Sequence, residues 1–170
     1  MPIDEDVAVH PLHLASELFK SLAGVKITRI PYSSGATEVL DLLSGRMQMT
    51  FGPAVETSQL VRSGKLRALA VTTAQPSPLF PELPTVAATV PGYDWVGTTA
   101  LFAPANTPVA IINRLNREVL QALSRADVKE RVISTGSEVI GSTPEQLAAT
   151  VKSDMLRLGK LIKDAGIKAD

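Results

Sequence analysis

Three times in the first third of the chain, apolar residues recur at helical spacing and the stripe then stops at a glycine. Leu14, Leu18 and Leu22 form one stripe over residues 11 to 23, where Pro11 suits a first helical turn. Val39, Leu40 and Leu43 form a second over about 35 to 44, and Val55, Leu60 and Val61 a third over about 54 to 63. The stops are Gly24, Gly45 and Gly64, each next to or near a Lys or Arg. Glycine just past a helix supplies left-handed backbone at little steric cost, and a cation there faces the negative end of the helix dipole. Short β-rich runs follow: Ile27-Thr28-Arg29-Ile30, Met47-Gln48-Met49-Thr50-Phe51 and Leu69-Ala70-Val71-Thr72. Helix alternating with strand predicts an α/β fold with a parallel sheet and crossover helices. Open parallel sheets bind ligands beyond the carboxyl ends of their strands, so the outgoing turns are where chemistry is expected.

The pattern breaks between Ala74 and Asp94, where Pro76, Pro78, Pro81, Pro84 and Pro91 recur without a period. Such prolines disfavour both helix interior and central strand, and a loop of this length marks either function or a crossing between lobes. The expected division is therefore residues 1–90 as one α/β lobe and 91–170 as a crossover strand with helices belonging to a second. Beyond the loop, residues 95 to 104 read as a strand, and Thr107-Pro108 as N-cap and first helical residue. The helix that follows, to about 123, is expected to bury Ile112, Leu115, Val119 and Ala122. A short helix over 127 to 133 and a brief strand over 138 to 140 come next. Thr143-Pro144-Glu145-Gln146 fits a capping box opening a long helix with Leu147, Val151, Met155, Leu158 and Ile162 in register.

Composition narrows the classes of function. Lys+Arg and Asp+Glu are 17 each, so no net field steers the chain onto nucleic acid or anionic lipid. Aromatics are only 4%, which suits aliphatic helix-on-sheet packing better than a stacking platform for bases. The absence of cysteine excludes disulfides, thiolate nucleophiles and Cys-based zinc sites. No apolar stretch approaches the ~20 residues of a membrane span. The acidic start Met1-Pro2-Ile3-Asp4-Glu5-Asp6 is the opposite of a secretory leader.

The expected strand-end turns are Tyr32-Ser33-Ser34-Gly35, Gly52-Pro53-Ala54 and Thr72-Thr73-Ala74. Small hydroxyl residues beside free N–H groups at positive helix ends make a pocket for a carboxylate or phosphate. Turns and caps draw on the same residues for purely structural reasons. His10 and His13, three apart around a helix start, lack the further ligands zinc needs, so no metal and no cofactor is expected. His13 with Ser33 or Ser34 and Glu56 makes a triad only on paper, since no G-x-S-x-G elbow supports it. No Walker A or G-x-G-x-x-G is present. Tyr93 and Trp95 read as core filling beside the crossing.

The order of phrases resembles one family closely. His13-Leu14-Ala15-Ser16-Glu17-Leu18-Phe19, Ile30-Pro31-Tyr32, Asp41 to Gln48, Gly64 to Val71 and Pro84-Thr85-Val86 are similar to the solute receptors of tripartite tricarboxylate transporters, the Bug-type periplasmic binding proteins. The likeness continues through Pro91-Gly92-Tyr93, Ala103 to Pro108, Leu115-Asn116 and Gly141 to Glu145, to Ala165-Gly166-Ile167. It implies a two-lobed α/β receptor in which residues up to about 90 form most of the second lobe and residues from about 97 complete the first. It also implies an amino-terminal half, with a leader, ahead of this span. Three places depart from the family pattern: Val7-Ala8-Val9-His10-Pro11-Leu12 stands where a loop rich in Gly and Ser is usual, Gly52 where an aspartate is common, and Ser33 where Lys is frequent.

The resemblance and the turns together lead to a non-catalytic receptor that captures a small carboxylate (a di- or tricarboxylate, or an acidic amino acid) and hands it to transporter membrane subunits. The expected ligand-binding residues are His10, His13, Tyr32, Ser33, Ser34, Gly35, Gly52, Pro53, Ala54 and Thr73. The rival is a truncated remnant without ligand binding that acts as a structural or self-associating module. Strands 97 to 104 and 138 to 140 lack neighbours in this span, so self-association through exposed edges, or marginal stability, is expected. Resemblance puts the protein in the periplasm; a chain complete as written, having no export signal, would stay in the cytoplasm.

Overall fold

The computed structural model describes residues 11–32 and 34–164. Six α-helices account for most of its regular structure: α1 (Pro11–Ala23), α2 (Gly35–Leu43), α3 (Ala54–Arg62), α4 (Val109–Ser124), α5 (Ala126–Ser134) and α6 (Pro144–Asp164), with a 3-10 turn at Val86–Ala88. Each lies where hydrophobic spacing and glycine stops place it.

The glycine junctions close as expected. Gly45 and Gly64 have φ of 78° and 71°. The next amide in each case reaches back five residues, Arg46 N–H to the Asp41 carbonyl at 3.0 Å and Lys65 N–H to the Leu60 carbonyl at 2.9 Å. Left-handed glycine thus lets otherwise unpaired carbonyls of the last turn find donors. One start differs by a residue: Pro108, not Thr107, is the cap, and α4 begins at Val109 without a side-chain cap.

The chain divides into two compact units. Unit 1 runs to Val96 and takes in the end of the chain from Lys160. Its buried apolar residues are Leu14, Ala15, Val86, Val90, Tyr93, Trp95 and Leu161. The proline-rich stretch therefore supplies much of this core. It is tied down by Val71 N–H to the Pro84 carbonyl and Val86 N–H to the Val71 carbonyl, both 2.9 Å, which form a parallel bridge between Val71 and Thr85. Trp95 N–H adds a 2.9 Å bond to the Thr72 carbonyl. Phe19, Phe51 and Tyr93 form an aromatic cluster with centroids 5.7 to 6.3 Å apart, joining α1, the run before Gly52 and the end of the proline-rich stretch.

Unit 2, Gly97–Gly159, holds α4, α5 and the first four turns of α6. Asn116 donates to the Ser142 carbonyl at 2.8 Å, and Gly141 sits against the Leu120 side chain, which holds the run after α5 on α4.

Two expectations are not met. Among the described residues the runs 27–30, 47–51, 69–72, 97–104 and 138–140 form no strand ladder; the Val71–Thr85 bridge is the sheet pairing present. A ladder needs a partner backbone about 4.8 Å away in register. Ile30, Leu69, Leu101 and Ile140 are instead open to solvent. Likewise Leu115, Val119 and Ala122 of α4 are exposed rather than buried, because nothing in unit 2 lies across that face.

Candidate functional site

The turns before α2 and α3 meet. Ser34 caps α2 from extended backbone (φ −151°, ψ 144°), its hydroxyl accepting the Thr37 amide at 3.3 Å and lying 2.7 Å from the Thr37 hydroxyl. Gly35 is the first residue of α2. Pro53 caps α3 through its backbone, and Ala54 opens that helix. Glu56, in the first turn of α3, reaches over to Gly35: a methyl group on Gly35 would stand 2.7 Å from Glu56 Oε2. Glu38, in the first turn of α2, accepts a hydrogen bond from the Thr50 hydroxyl just ahead of Gly52. Two positive helix ends thus share one rim with two carboxylates of the chain itself.

Tyr32 anchors the same turn. Its hydroxyl donates to Asp41 Oδ2 at 2.8 Å, while Arg46 donates to Asp41 Oδ1 at 3.1 Å. The bond to Asp41 pushes the phenol's pKa up, with desolvation adding to it. Gly52 packs against the Thr57 methyl at the start of α3. Thr73 donates to the Gln75 carbonyl at 2.7 Å, and the next amide, Ala74 N–H, reaches Asp94 Oδ1 at 3.2 Å. Asp94 follows Tyr93, whose ring stacks on Phe51 beside Gly52 at 6.3 Å.

His13 is half-buried in α1, with Nε2 3.4 Å from Glu17 Oε1; Glu17 also binds Lys20 at 2.7 Å. Desolvation lowers the imidazole pKa, Arg29 and Lys20 lower it further, and Glu17 acts against them. The contacts of His13 run to Glu17 and those of Ser34 to Thr37, so the paper triad of His13, Ser34 and Glu56 has no such bonds to support it. His10 and Ser33 lie outside the described residues. Among the described residues, no three His, Cys, Asp or Glu side chains gather as metal ligands would.

The structure therefore brings Tyr32, Ser34 and Gly35 together with Gly52, Pro53 and Ala54, and links Thr73 to them through Asp94 and the aromatic cluster. Sequence reasoning missed Glu38 and Asp94, and it named Glu56 only as a member of the paper triad. Acidic residues in a first helical turn are a readable signal, and both glutamates have that position.

The fold is that of periplasmic binding proteins: the solved structure of BugD matches with a TM-score of 0.72 at 29% identity, over 92% of this chain and 53% of that one. The chain matches the tripartite tricarboxylate transporter family receptor over residues 8–167, and it belongs to that family. Its members are periplasmic solute-binding receptors, a non-enzymatic kind of protein. Among curated relatives, the UPF0065 protein in the tcbD-tcbE intergenic region of a Pseudomonas species is 35% identical over 161 residues, which is 94% of this chain and 48% of the relative. A Pseudomonas knackmussii counterpart from the clcB-clcD intergenic region is 31% identical, with 89% of this chain and 90% of that protein covered. Among solved structures, R. palustris Rpa4515 with adipate matches with a TM-score of 0.80 at 36% identity, over 92% of this chain and 52% of that one. MatC from Rhodopseudomonas palustris with bound malate matches with a TM-score of 0.67 at 29% identity, over 88% and 52%. Apart from the Pseudomonas knackmussii protein, the chain spans about half the length of the curated relatives it matches, 45% to 49%. Among the described residues no helix is long and apolar enough to cross a membrane.

Proposed function

We propose that this chain is a carboxylate-capturing receptor segment, working without catalysis in the periplasm for a tripartite tricarboxylate-type transporter. Residues 1–90 act as most of the ligand-binding second lobe, and 91–170 as the crossover and helices that complete the first. The short runs 27–30, 47–51 and 69–72 play the part of parallel strands whose outgoing turns gather around one anionic guest. Backbone amides and hydroxyls at Tyr32, Ser33, Ser34 and Gly35, and at Gly52, Pro53 and Ala54, hold the guest, with Thr73, His10 and His13 at the margin.

The observation that carries this reading is the Glu56–Gly35 approach, which puts the starts of α2 and α3 beside each other. Two neighbouring helix starts attract a carboxylate, each contributing about 0.3–1 kcal/mol when exposed. Relatives solved with adipate and with malate support a dicarboxylate guest. Because a micromolar complex needs about 8 kcal/mol, this segment alone is expected to bind weakly.

The test is a melting-shift and calorimetric titration with adipate, malate, citrate, aspartate and glutamate, against uncharged diols of matched length. Saturable stabilisation by the carboxylates alone supports the reading. A flat response to all five acids up to tens of millimolar rejects it in favour of the remnant without ligand binding.

A further inference from the structure

We propose that Asp41 is the positioning residue of the rim: it holds Tyr32, and through Tyr32 the turn into α2, in the pose that presents the start of that helix to the guest. This rests on the carboxylate-capturing reading above and adds to it a residue that acts without touching the guest.

Aspartate is an unfavourable choice for this place in a helix. Asp41 is the seventh of the nine residues of α2, so its charge stands toward the negative end of the helix dipole. No basic residue lies in that last turn to offset it, and aspartate is among the weaker helix formers. A residue that breaks the local rules of its helix is expected to serve something outside it. The ion pair with Arg46 does not account for the choice, because the Arg46 side chain is 78% exposed and a pair so open to water adds little stability.

Asp41 does reach past both ends of its helix. Through Oδ2 it accepts the Tyr32 hydroxyl at 2.8 Å, nine residues back and ahead of the α2 cap. Through Oδ1 it accepts Arg46 at 3.1 Å, and its carbonyl accepts the Arg46 and Met47 amides at 3.0 and 3.2 Å. Asp41 lies about 9 Å of helix rise beyond Gly35, so the phenol must run alongside α2 to meet it. Tyr32 is thereby tied to the helix two residues before the Ser34 cap. Ser34 in turn accepts the Thr37 amide through its hydroxyl and the Glu38 amide through its carbonyl, both at 3.3 Å. The Tyr32–Asp41 bond therefore limits how the chain can enter the first turn of α2. It also commits the one proton of the Tyr32 hydroxyl, leaving none to donate to an anionic guest. Tyr32 serves the guest through its place in the turn.

Melting-shift titration of the 170-residue chain with adipate and malate, run beside amide exchange at Thr37 and Glu38, tests this. The variants are Asp41→Ala, Asp41→Asn, Tyr32→Phe, and Tyr32→Phe combined with Asp41→Ala. Asp41→Ala and Tyr32→Phe are each expected to weaken binding about fivefold, as loss of one hydrogen bond does, and to speed exchange at both amides. The double variant is expected to be no weaker than either single one, since both remove the same bond. Asp41→Asn keeps an acceptor for the hydroxyl and is expected to restore affinity and exchange. Tyr32→Phe removes the bond without a change of charge, so the comparison stands even where Asp41→Ala loses the fold, which Trp95 emission reports. A role of charge alone predicts tighter binding in both single Asp41 variants, and that result overturns the proposal. So do losses that add in the double variant, or an Asn variant as weak as the Ala one. Wild-type affinity in Asp41→Ala rejects the role of Asp41 and leaves the capture reading standing. A wild-type chain that binds neither acid rejects the capture reading, and this role falls with it.

Discussion

The Glu56 carboxylate lies across the open face of Gly35, joining the first turn of α3 to the first residue of α2. Glycine leaves room for that approach, since a methyl group would meet Oε2 at 2.7 Å. The obstacle is the far end of a flexible side chain, so alanine at this position displaces the carboxylate at modest cost. The pairing has two opposite electrostatic consequences. A carboxylate at a helix start stabilises that helix, and the same charge repels any anionic guest drawn to the rim.

Glu56→Gln separates those effects. Without ligand, the variant is expected to lose about 0.3–1 kcal/mol of stability, because a favourable charge leaves the start of α2. With adipate or malate it is expected to bind three- to tenfold more tightly, because a like charge near the guest is gone. Urea denaturation checks the first figure and calorimetry the second. Equal affinity in both proteins would place the guest away from this rim.

Tyr93 supplies the long-range tie of unit 1. It is almost fully buried, and its hydroxyl donates to the Ala15 carbonyl of α1 at 3.2 Å across 78 residues of sequence. Burial drives its pKa far above the usual phenol value, with Asp94 adding to the effect, so the hydroxyl stays a donor at every physiological pH. Tyr93→Phe removes the bond and leaves the ring contacts with Phe19 and Phe51, for an expected loss of about 1 kcal/mol. Tyr93→Ala also opens a cavity and costs about 3–5 kcal/mol. Urea unfolding followed through Trp95 measures both.

The helices of this chain are readable from one dimension because their causes are local. The Leu14-Leu18-Leu22 stripe, the glycines at 24, 45 and 64, and the Thr143–Gln146 box all act within a turn or two of backbone. Strands at 27–30 or 69–72 depend on a neighbour, and periodicity cannot show whether one is there. Burial has the same limit: the spacing of Leu115 and Val119 marks a face as apolar and leaves open what lies across it. In the candidate site, Ser34 and Gly35 follow from turn chemistry. The arrival of Glu56, 21 positions later, is a tertiary event that no local pattern announces.

Acid is expected to weaken unit 1 through His13. Desolvation, Arg29 and Lys20 hold its folded pKa below the ordinary value of 6.5, so the unfolded chain binds the proton more readily. The stability this group contributes is fully present above about pH 6.5 and is lost as pH falls through the lower, folded value. Unfolding free energy measured by urea from pH 7.5 to 5.0 should therefore decline on the acid side, before most carboxylates titrate. His13→Gln is expected to flatten that decline. An equally steep curve in the variant would move the effect to another group.

The start of α6 offers the cleanest local test. Thr143 N–H donates to Gln146 Oε1 at 2.9 Å, and Gln146 N–H donates to the Thr143 hydroxyl at 3.2 Å, a reciprocal box that gives acceptors to two amides at the helix start. The Glu145 carboxyl is held below its usual range by its own backbone amide and then by Thr143, so it remains an anion at the positive helix end. Thr143→Ala removes the hydroxyl and is expected to cost about 1 kcal/mol. Gln146→Ala leaves the hydroxyl in place and gives up only the return bond, so its loss should be smaller. Helical ellipticity during thermal unfolding reads both. Because α6 runs from unit 2 into the end of unit 1 and buries Leu161 there, Trp95 emission reports whether fraying at Thr143 travels the length of the helix. Loss of ellipticity with unchanged Trp95 emission is the expected result, since capping acts on the first turn and the Leu161 anchor lies four turns beyond it.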